Sequence, residues 1–229
     1  MKDEELFELW ENKIKIELTQ EIVNKRFNIW SIFHKWGHNS VVTYLKSINF
    51  TKNDTILEVG SGDCYFSSLL DENLSKRYIG LDISNKILSL SKRKVKKIQA
   101  DLYSLPFRDD SIKVIISIYN LEHLHLLEKG IDEINRVLQM SGSFIFAIPM
   151  ENGLLYDLAR WFTTKRIVEK RYKVDYMKII REYEHPNTAK NVLKRIKQKF
   201  KIVKSGYYPF LVPFINLNLF SVFKAVKYE

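Results

Sequence analysis

The chain has 229 residues, of which 45% are hydrophobic and 28% charged, a composition typical of a globular protein long enough to bury its own core. Its one cysteine, Cys64, excludes an intramolecular disulfide and a cysteine-only metal site, so a reducing, cytoplasmic setting is the simplest expectation. Because the amino terminus is charged, we expect no secretory signal. The sequence contains no run of about 18 uncharged apolar residues, so we expect no membrane span.

The net charge of +10 is concentrated in one part of the chain. Between Arg160 and Lys204 there are 15 Lys and Arg residues against 4 acidic residues, a net of +11. Such a basic block is typical of a surface that meets an anionic substrate, a nucleic acid or a membrane. It is equally typical of a solvated helical face in a lysine-rich protein, so composition leaves these alternatives open.

The amino-terminal region is predicted to be helical. Residues 4–26 carry apolar side chains at a spacing close to four, which predicts an amphipathic helix. After an aromatic-rich segment, residues 38–48 predict a second helix that leads into the first strand.

The stretch Thr55–Asp63 predicts a short apolar strand that runs into a turn holding two glycines. The apolar pattern of residues 65–70 predicts that a helix follows the turn. Gly60 and Gly62 lack a Cβ, so the backbone can adopt positive φ and approach a ligand above the carboxyl end of the strand. The stretch therefore predicts a ligand-binding turn in a βαβ unit.

The residues around the turn favour one class of ligand over two others. A phosphate-binding P-loop would need a Lys followed by Ser or Thr after Gly62, and neither follows. A dinucleotide fingerprint would need a third glycine where Tyr65 stands. Glu58 and Asp63 flank the glycines with carboxylates, which favours a cationic ligand. A strand, turn and helix without any ligand remains the alternative.

Acidic residues also end the next two predicted strands. Residues 77–81 end at Asp82, about twenty residues after the glycine turn, where a carboxylate can accept hydrogen bonds from both hydroxyls of a ribose. Ser84 follows as the predicted N-cap of a helix. Residues 96–100 form the next strand and end at Asp101. Acids at the ends of three successive strands predict one site at the carboxyl edge of the sheet.

The remaining elements continue the alternation of strands and helices. The sequence predicts a fourth strand over residues 112–118, a fifth over 143–148, a helix over 190–199 and two final strands over 200–205 and 217–226.

Four stretches between Thr55 and Pro149 carry a resemblance to a known family. They are the E-x-G-x-G turn from Glu58, L-P-F-R-D-D-S-I at residues 105–112, L-E-H at 121–123, and E-I-N-R-V-L at 133–138 followed by Ser141-Gly142. In these stretches the chain resembles the class I S-adenosylmethionine-dependent methyltransferases. The loop Met150–Gly153 is similar to that of family members acting on small molecules, lipids or glycans. The chain departs from the family at Cys64, where many relatives have glycine, and we interpret that side chain as a small packing residue.

The resemblance implies a Rossmann-like, doubly wound α/β fold. Its seven-stranded mixed sheet is expected to have the order 3-2-1-4-5-7-6, with strand 7 antiparallel. The whole chain, residues 1–229, is then one methyltransferase domain with four parts. These are an amino-terminal helical cap (1–50), a cofactor-binding core (51–150), a lid or acceptor insertion (151–185), and a carboxyl-terminal helix with strands (186–229).

The resemblance also implies S-adenosylmethionine as the cofactor. In the family, the acid after the second strand binds the ribose. The acid after the third strand meets the adenine amino group, and the residue that follows it supports the ring. Carried over residue by residue, the implied cofactor-binding set is Glu58, Gly60, Ser61, Gly62, Asp63, Asp82, Ile83, Asp101, Leu102 and Tyr119.

Methylation of a hydroxyl requires a proton acceptor, and histidine is a common one. His123 lies in the segment that faces the acceptor in relatives, and His185 resembles a histidine that precedes their penultimate helix. Both are candidate catalytic residues, with a structural hydrogen bond as the alternative for each. No metal is expected, because the segments after the fourth and fifth strands lack the clustered Asp and Asn ligands of metal-dependent catechol methylation.

The sequence thus supports a methyltransferase for a small-molecule, lipid-like or glycan acceptor, with oxygen as the expected methylated atom. One alternative is RNA or protein methylation through the basic block, and another is a non-catalytic module that binds S-adenosylmethionine. Peripheral membrane contact through the apolar residues 207–215 also remains open, since they lie next to the basic block.

Overall fold

The computed structural model describes residues 8–14, 29–151 and 153–228. Most of the amphipathic helix predicted over residues 4–26 therefore lies outside the described residues. Its described part includes one π-helical turn, Trp10–Ile14.

A seven-stranded sheet forms the centre of the molecule. Its strands in chain order are β1 (Ile56–Val59), β2 (Tyr78–Asp82), β3 (Lys96–Gln99), β4 (Ile112–Ile118), β5 (Leu138–Pro149), β6 (Phe200–Tyr208) and β7 (Phe220–Lys227). They lie in the order β3-β2-β1-β4-β5-β7-β6. The first five strands pair in parallel, and β7 pairs antiparallel with both β5 and β6. The predicted strand order and the antiparallel last strand are confirmed.

Helices cover both faces of this sheet. The α-helices are α1 (Ile29–Lys46), α2 (Glu72–Ser75), α3 (Asn85–Leu90), α4 (Leu127–Val137), α5 (Leu154–Arg160), α6 (Arg166–Tyr172), α7 (Tyr176–Ile179) and α8 (Ala189–Lys199). Adjacent side chains of β1 face opposite cores, with Ile56 packed in one and Leu57 in the other. Both faces are buried, as expected for a parallel sheet, which explains the continuous apolar runs of its strands. Among the described residues, no helix is long and apolar enough to cross a bilayer.

The helix predicted after the glycine turn is wrong in type. The chain forms a 3₁₀ helix, Tyr65–Leu69, that ends before α2. The hydroxyl of Ser67 donates to the carbonyl of Cys64 at 2.8 Å, and Ser68 donates to the carbonyl of Tyr65 at 2.7 Å. Hydroxyls bonded to nearby carbonyls compete with regular helical pairing, and two serines in succession do so here.

The segment between β5 and α8 is largely helical. α5 continues through the π-helical turn Trp161–Lys165 into α6, and α7 continues into the π-helical turn Ile180–Glu184. Trp10 and Ile14 from the amino-terminal turn pack against this segment in a separate apolar cluster. The segment therefore has a small core of its own beside the main sheet.

Candidate functional site

The glycine turn after β1 has the backbone that the sequence predicts. Gly60 has a φ of +68° and Gly62 a φ of +53°, both in the left-handed region that favours glycine. A Cβ on Gly60 would lie 2.3 Å from the side chain of Asn120. A Cβ on Gly62 would meet only Ile87, at 3.9 Å. The backbone at Gly62 therefore faces open space in which a ligand can approach.

These two glycines allow a matched substitution test. We expect Gly62→Ala to lower the free energy of unfolding by about 1 to 2 kcal/mol, the cost of a left-handed L-residue. Gly60→Ala should lower the free energy of unfolding by about 1 to 3 kcal/mol more than Gly62→Ala does, because Asn120 must also move. Urea unfolding of both variants measures the difference. Equal losses would contradict the close packing of Asn120 on Gly60.

Cys64, where many relatives have glycine, has a φ of +60° and is fully buried. A Cβ on Gly80 of β2 would lie 2.5 Å from its sulfur. The sulfur thus fills the space above a glycine in the neighbouring strand. Its interpretation as a packing residue is confirmed, and the positive φ explains why glycine suits this position in relatives.

Asp82 connects the glycine turn to the start of α3. Its Oδ2 accepts from the backbone N–H of Gly62 at 2.9 Å, and its Oδ1 accepts from the N–H of Ser84 at 2.9 Å. Each carboxylate oxygen retains acceptor capacity beyond the one amide that it binds. The next residue, Ile83, is 67% exposed and presents an apolar side chain at the same edge of the sheet.

The sequence suggested that Glu58 presents a charged carboxylate to a cationic ligand, but the structure shows this side chain in the interior. Its side chain is buried and accepts a hydrogen bond from the Tyr78 hydroxyl. Burial raises the pKa of Glu58 to about 8, with further upward contributions from Asp63 and Asp82, while the bond from Tyr78 opposes the rise. Without a bound cation, Glu58 is therefore largely protonated at neutral pH.

This raised pKa predicts a pH-dependent stability. The native state binds the Glu58 proton more tightly than the unfolded chain, whose carboxyl has its ordinary pKa near 4.5, so stability falls as the pH rises from there towards 8. We expect a loss of at most about 1.4 kcal/mol per pH unit from this group. Urea unfolding between pH 5 and 8 should show a flatter profile for Glu58→Gln, and identical profiles would refute the assignment.

Four other residues of the predicted cofactor set have more varied surroundings. Asp63 is exposed and forms an ion pair with Arg93 at 3.3 Å. Ser61 is buried, and its N–H donates to the carbonyl of Leu81 at 2.9 Å. Asp101 is exposed, and its Oδ1 accepts from the N–H of Tyr103 at 2.8 Å. Leu102 is buried in the core beside it, so its ring-supporting role stays a prediction.

Tyr119 follows β4 with a φ of +51°. Its ring makes edge contacts with Phe220, at a centroid distance of 6.2 Å, and with His38, at 6.3 Å. Burial raises the pKa of the Tyr119 hydroxyl above its ordinary value. These contacts hold Tyr119 between the strand edge and α1, and its predicted contact with cofactor stays a prediction.

The structure brings together the two predicted catalytic histidines. The rings of His123 and His185 meet edge to face, with centroids 4.5 Å apart. Nδ1 of His123 lies 2.7 Å from the backbone carbonyl oxygen of Glu184, and Nδ1 of His185 bonds to a carboxylate oxygen of Glu151. Both oxygens accept a hydrogen bond from Nδ1–H, so each ring in its neutral form has its lone pair on Nε2.

Glu151 is the centre of a buried charged group. Besides His185, it accepts from the Tyr156 hydroxyl at 3.1 Å and lies 3.4 Å from the guanidinium of Arg160. Although burial raises the pKa of Glu151, the hydrogen bond from His185 and the charge of Arg160 hold it below its ordinary range. The Arg160 guanidinium stacks over the rings of Tyr156, at 4.9 Å, and Tyr176, at 5.7 Å. Glu151 is thus an ionised acceptor that orients His185.

Glu122 contributes a second buried acid beside the histidines. It is 3% exposed, and its Oε2 has no hydrogen-bond partner among the described residues. Burial raises its pKa to about 8.

The comparisons with known proteins agree on one family. Residues 57–146 match the family described as "Methyltransferase domain". The matched segment and the strand order are similar to those of the class I S-adenosylmethionine-dependent methyltransferases. It is 34% identical over 115 residues to an uncharacterised protein of Methanocaldococcus jannaschii, an alignment that covers 49% of this chain and 48% of that protein. It is 29% identical over 113 residues to a demethylmenaquinone methyltransferase of Bacteroides fragilis, covering 44% of this chain and 46% of that enzyme.

A crystal structure of a Pyrococcus horikoshii protein superimposes on this chain with a TM-score of 0.62 and 19% identity, covering 89% of this chain and 93% of that one. At that identity the likeness concerns the fold. The chain spans about half the length of the first curated relatives it matches. The family match itself covers residues 57–146.

The family's cofactor, S-adenosylmethionine, fits the carboxyl edge of this sheet. The open face of Gly62 leaves room for the ligand beside the turn. The Asp82 carboxylate retains acceptor capacity for ribose hydroxyls, and the exposed side chain of Ile83 offers an apolar surface for an adenine ring. These residues would hold the adenosyl part of the cofactor, and the glycine turn would hold its amino-acid end.

Sequence reasoning missed the acids and the arginine that surround the two histidines. Glu122 lies within the L-E-H segment, four residues after β4, and this position offered a signal because ligand sites form at the carboxyl edge of such a sheet. Glu151 follows β5 in the same way. Arg160 offered no signal, because it is one of 15 basic residues in the block and the structure alone shows it buried.

Proposed function

We propose that this methyltransferase transfers a methyl group from S-adenosylmethionine to a hydroxyl oxygen of a small, lipid-like acceptor that also carries an anionic group. The observation that carries the proposal is a cavity of about 780 Å³ that runs from Glu151 to an apolar rim. The rim includes Phe214 and Leu217, both exposed, and Lys190 is the one cationic residue in its lining.

The helix α5 packs beside residues 215–217 of the cavity rim and carries exposed apolar side chains. Leu154, Leu158 and Trp161 repeat at intervals of four and three residues and are exposed, so they form a stripe on one side of α5 and its π-helical extension. Tyr156 and Arg160 face the core from the opposite side. An exposed apolar stripe of this kind favours contact with an apolar acceptor or with the lipid aggregate that contains it.

The acceptor hydroxyl would meet the histidine pair. S-adenosylmethionine supplies an electrophilic methyl carbon on a positively charged sulfur. Glu151 holds His185 with its Nε2 lone pair available, and this nitrogen would take the hydroxyl proton as the oxygen bonds to the methyl carbon. His123 packs edge to face on that ring and limits its rotation. S-adenosylhomocysteine leaves once the methyl group has moved.

We propose a separate role for each of four segments of the chain. Residues 51–150 hold the cofactor, and residues 151–185 cover the acceptor as a lid. Residues 1–50 cap the site, and residues 186–229 complete the sheet. The contact of Trp10 and Ile14 with the lid segment supports a cap and lid that act together.

The basic block gives weaker support to RNA or protein methylation. Arg160 is buried beside Glu151, and Lys199 pairs with Asp132 at 2.9 Å. Both cations are therefore already paired with acids of this chain. Their neighbours in the block are distributed over α6, α7, α8 and β6. RNA and protein are therefore tested as acceptors beside the amphiphiles.

Formation of S-adenosylhomocysteine tests the proposal. The purified protein is incubated with the cofactor and with hydroxylated amphiphiles in mixed micelles, with the same amphiphiles carrying a phosphate, with RNA, or with a basic peptide. We expect turnover with the anionic amphiphiles, and a loss of about 100-fold in turnover for His185→Ala with cofactor affinity unchanged. His125→Ala, an exposed histidine, is the matched control. Turnover only with RNA or peptide, or cofactor binding without turnover, would refute the proposal.

A further inference from the structure

Glu122, His123 and His185 offer one potential metal-ligand atom each, and the three atoms lie within 4.8 Å of one another. Two of the residues belong to the 3₁₀ helix Leu121–His123 after β4, and His185 directly follows the π-helical turn Ile180–Glu184. The backbone N–H of Asn187 donates to the carbonyl of Glu122 at 3.2 Å and joins the two segments. The convergence is therefore part of the fold.

Glu122 provides an independent indication of a ligand. Its side chain is almost fully buried, and Oε2 has no hydrogen-bond partner among the described residues. A buried carboxylate oxygen without a partner is costly, and such an oxygen in a native protein indicates a missing water or ion. The same carboxyl group supplies the ligand atom that lies beside the two imidazoles.

The outer contacts of the histidines match those of metal ligands. A histidine that binds a metal through one ring nitrogen usually donates its other N–H to a carboxylate or a backbone carbonyl. His185 bonds in this way to Glu151, and His123 lies 2.7 Å from the carbonyl oxygen of Glu184. These contacts orient both rings beside Glu122.

We propose that Glu122, His123 and His185 bind a divalent transition-metal ion, with Zn²⁺ as the best match. Two imidazoles and one carboxylate are a donor set that Zn²⁺ takes at sites with an open fourth position. Metal–ligand bonds of about 2.1 Å in a tetrahedron place ligand atoms about 3.4 Å apart, so side-chain rotation must bring these atoms closer by roughly 1.4 Å at most.

Metal binding and the proposed acceptor chemistry both use the ring of His185, so a loaded site and a free base exclude each other. The two proposals are nevertheless tested separately. Binding is therefore measured on the protein alone, without acceptor or turnover. A failure of the methylation assay would leave the metal result unaffected, and the reverse also holds.

The test is a titration of the chelator-treated full chain with Zn²⁺ by calorimetry and with Co²⁺ by absorption spectroscopy. We expect one ion per chain, tetrahedral Co²⁺ absorption, and binding weakened at least tenfold in His123→Ala, His185→Ala and Glu122→Gln. His125→Ala, the exposed control, should bind as the wild type does.

Glu122→Gln keeps the shape of the side chain, so it separates lost ligation from lost folding. Zn²⁺ should raise the melting temperature of the wild type and not that of Glu122→Gln. The absence of stoichiometric binding in the wild type, or equal affinity in the wild type and the three ligand variants, would overturn the proposal.

Discussion

Replacing Glu151 with alanine is expected to lower the free energy of unfolding by about 3 to 5 kcal/mol, the cost typical of breaking a buried ion pair. The change leaves the Arg160 guanidinium buried without its carboxylate, which lies 3.4 Å away in the native chain. It also removes the acceptor of the Tyr156 hydroxyl and of His185. Each of these losses leaves a buried polar group without its partner. Urea unfolding of the purified variant measures the loss.

Two further variants make this result specific. Glu182→Ala removes an exposed carboxylate of the same segment, 3.9 Å from Lys178, and should cost less than about 1 kcal/mol. Combining Glu151→Ala with Arg160→Met removes the uncompensated charge, so the pair should lose less stability than the sum of the single variants. A loss for Glu151→Ala no larger than that for Glu182→Ala would contradict a buried charged group at this position.

Asp82→Asn is expected to weaken the binding of S-adenosylmethionine by about 100-fold. Both oxygens of Asp82 accept from backbone amides, one in the glycine turn and one at the start of α3. The asparagine amide can replace only one oxygen, because its NH₂ group would face a second donor. Loss of one such contact and of a ribose contact, at about 1.5 kcal/mol each, corresponds to roughly two powers of ten in affinity.

Calorimetric titration with S-adenosylmethionine measures the change in affinity. Asp54→Asn is the matched control, because Asp54 accepts from the N–H of Thr51 at 2.6 Å in the loop before β1, at the opposite end of that strand. Asp101→Asn should give a smaller loss, since Asp101 is exposed and only its Oδ1 accepts an amide. Unchanged cofactor affinity in a folded Asp82→Asn variant would refute the assignment of the ribose contact.

The edge that we propose for the cofactor was predictable because its signals are local. A buried strand, a glycine turn and an acid at the strand end are read from consecutive residues, and parallel strands bring their carboxyl ends to one edge. The positions of Gly60, Gly62 and Asp82 follow from this rule. What the rule omits is how each acid is solvated. Glu58, paired with Tyr78 and buried, and Asp63, paired with Arg93, differ from the two open carboxylates that their spacing suggested.

The family resemblance in the sequence implied the strand order, and the glycine turn by itself predicted the edge that we propose for the methyl donor, because such a turn after a buried strand marks the same edge in any sheet of this kind. Only the tertiary structure brought together the residues that we propose for the acceptor side. There Glu122, Glu151 and His185 come from segments up to 63 residues apart, and their pairing depends on how the helical segment after β5 docks on the sheet. Burial then sets their charge, and burial is a property of packing that no single stretch of sequence contains.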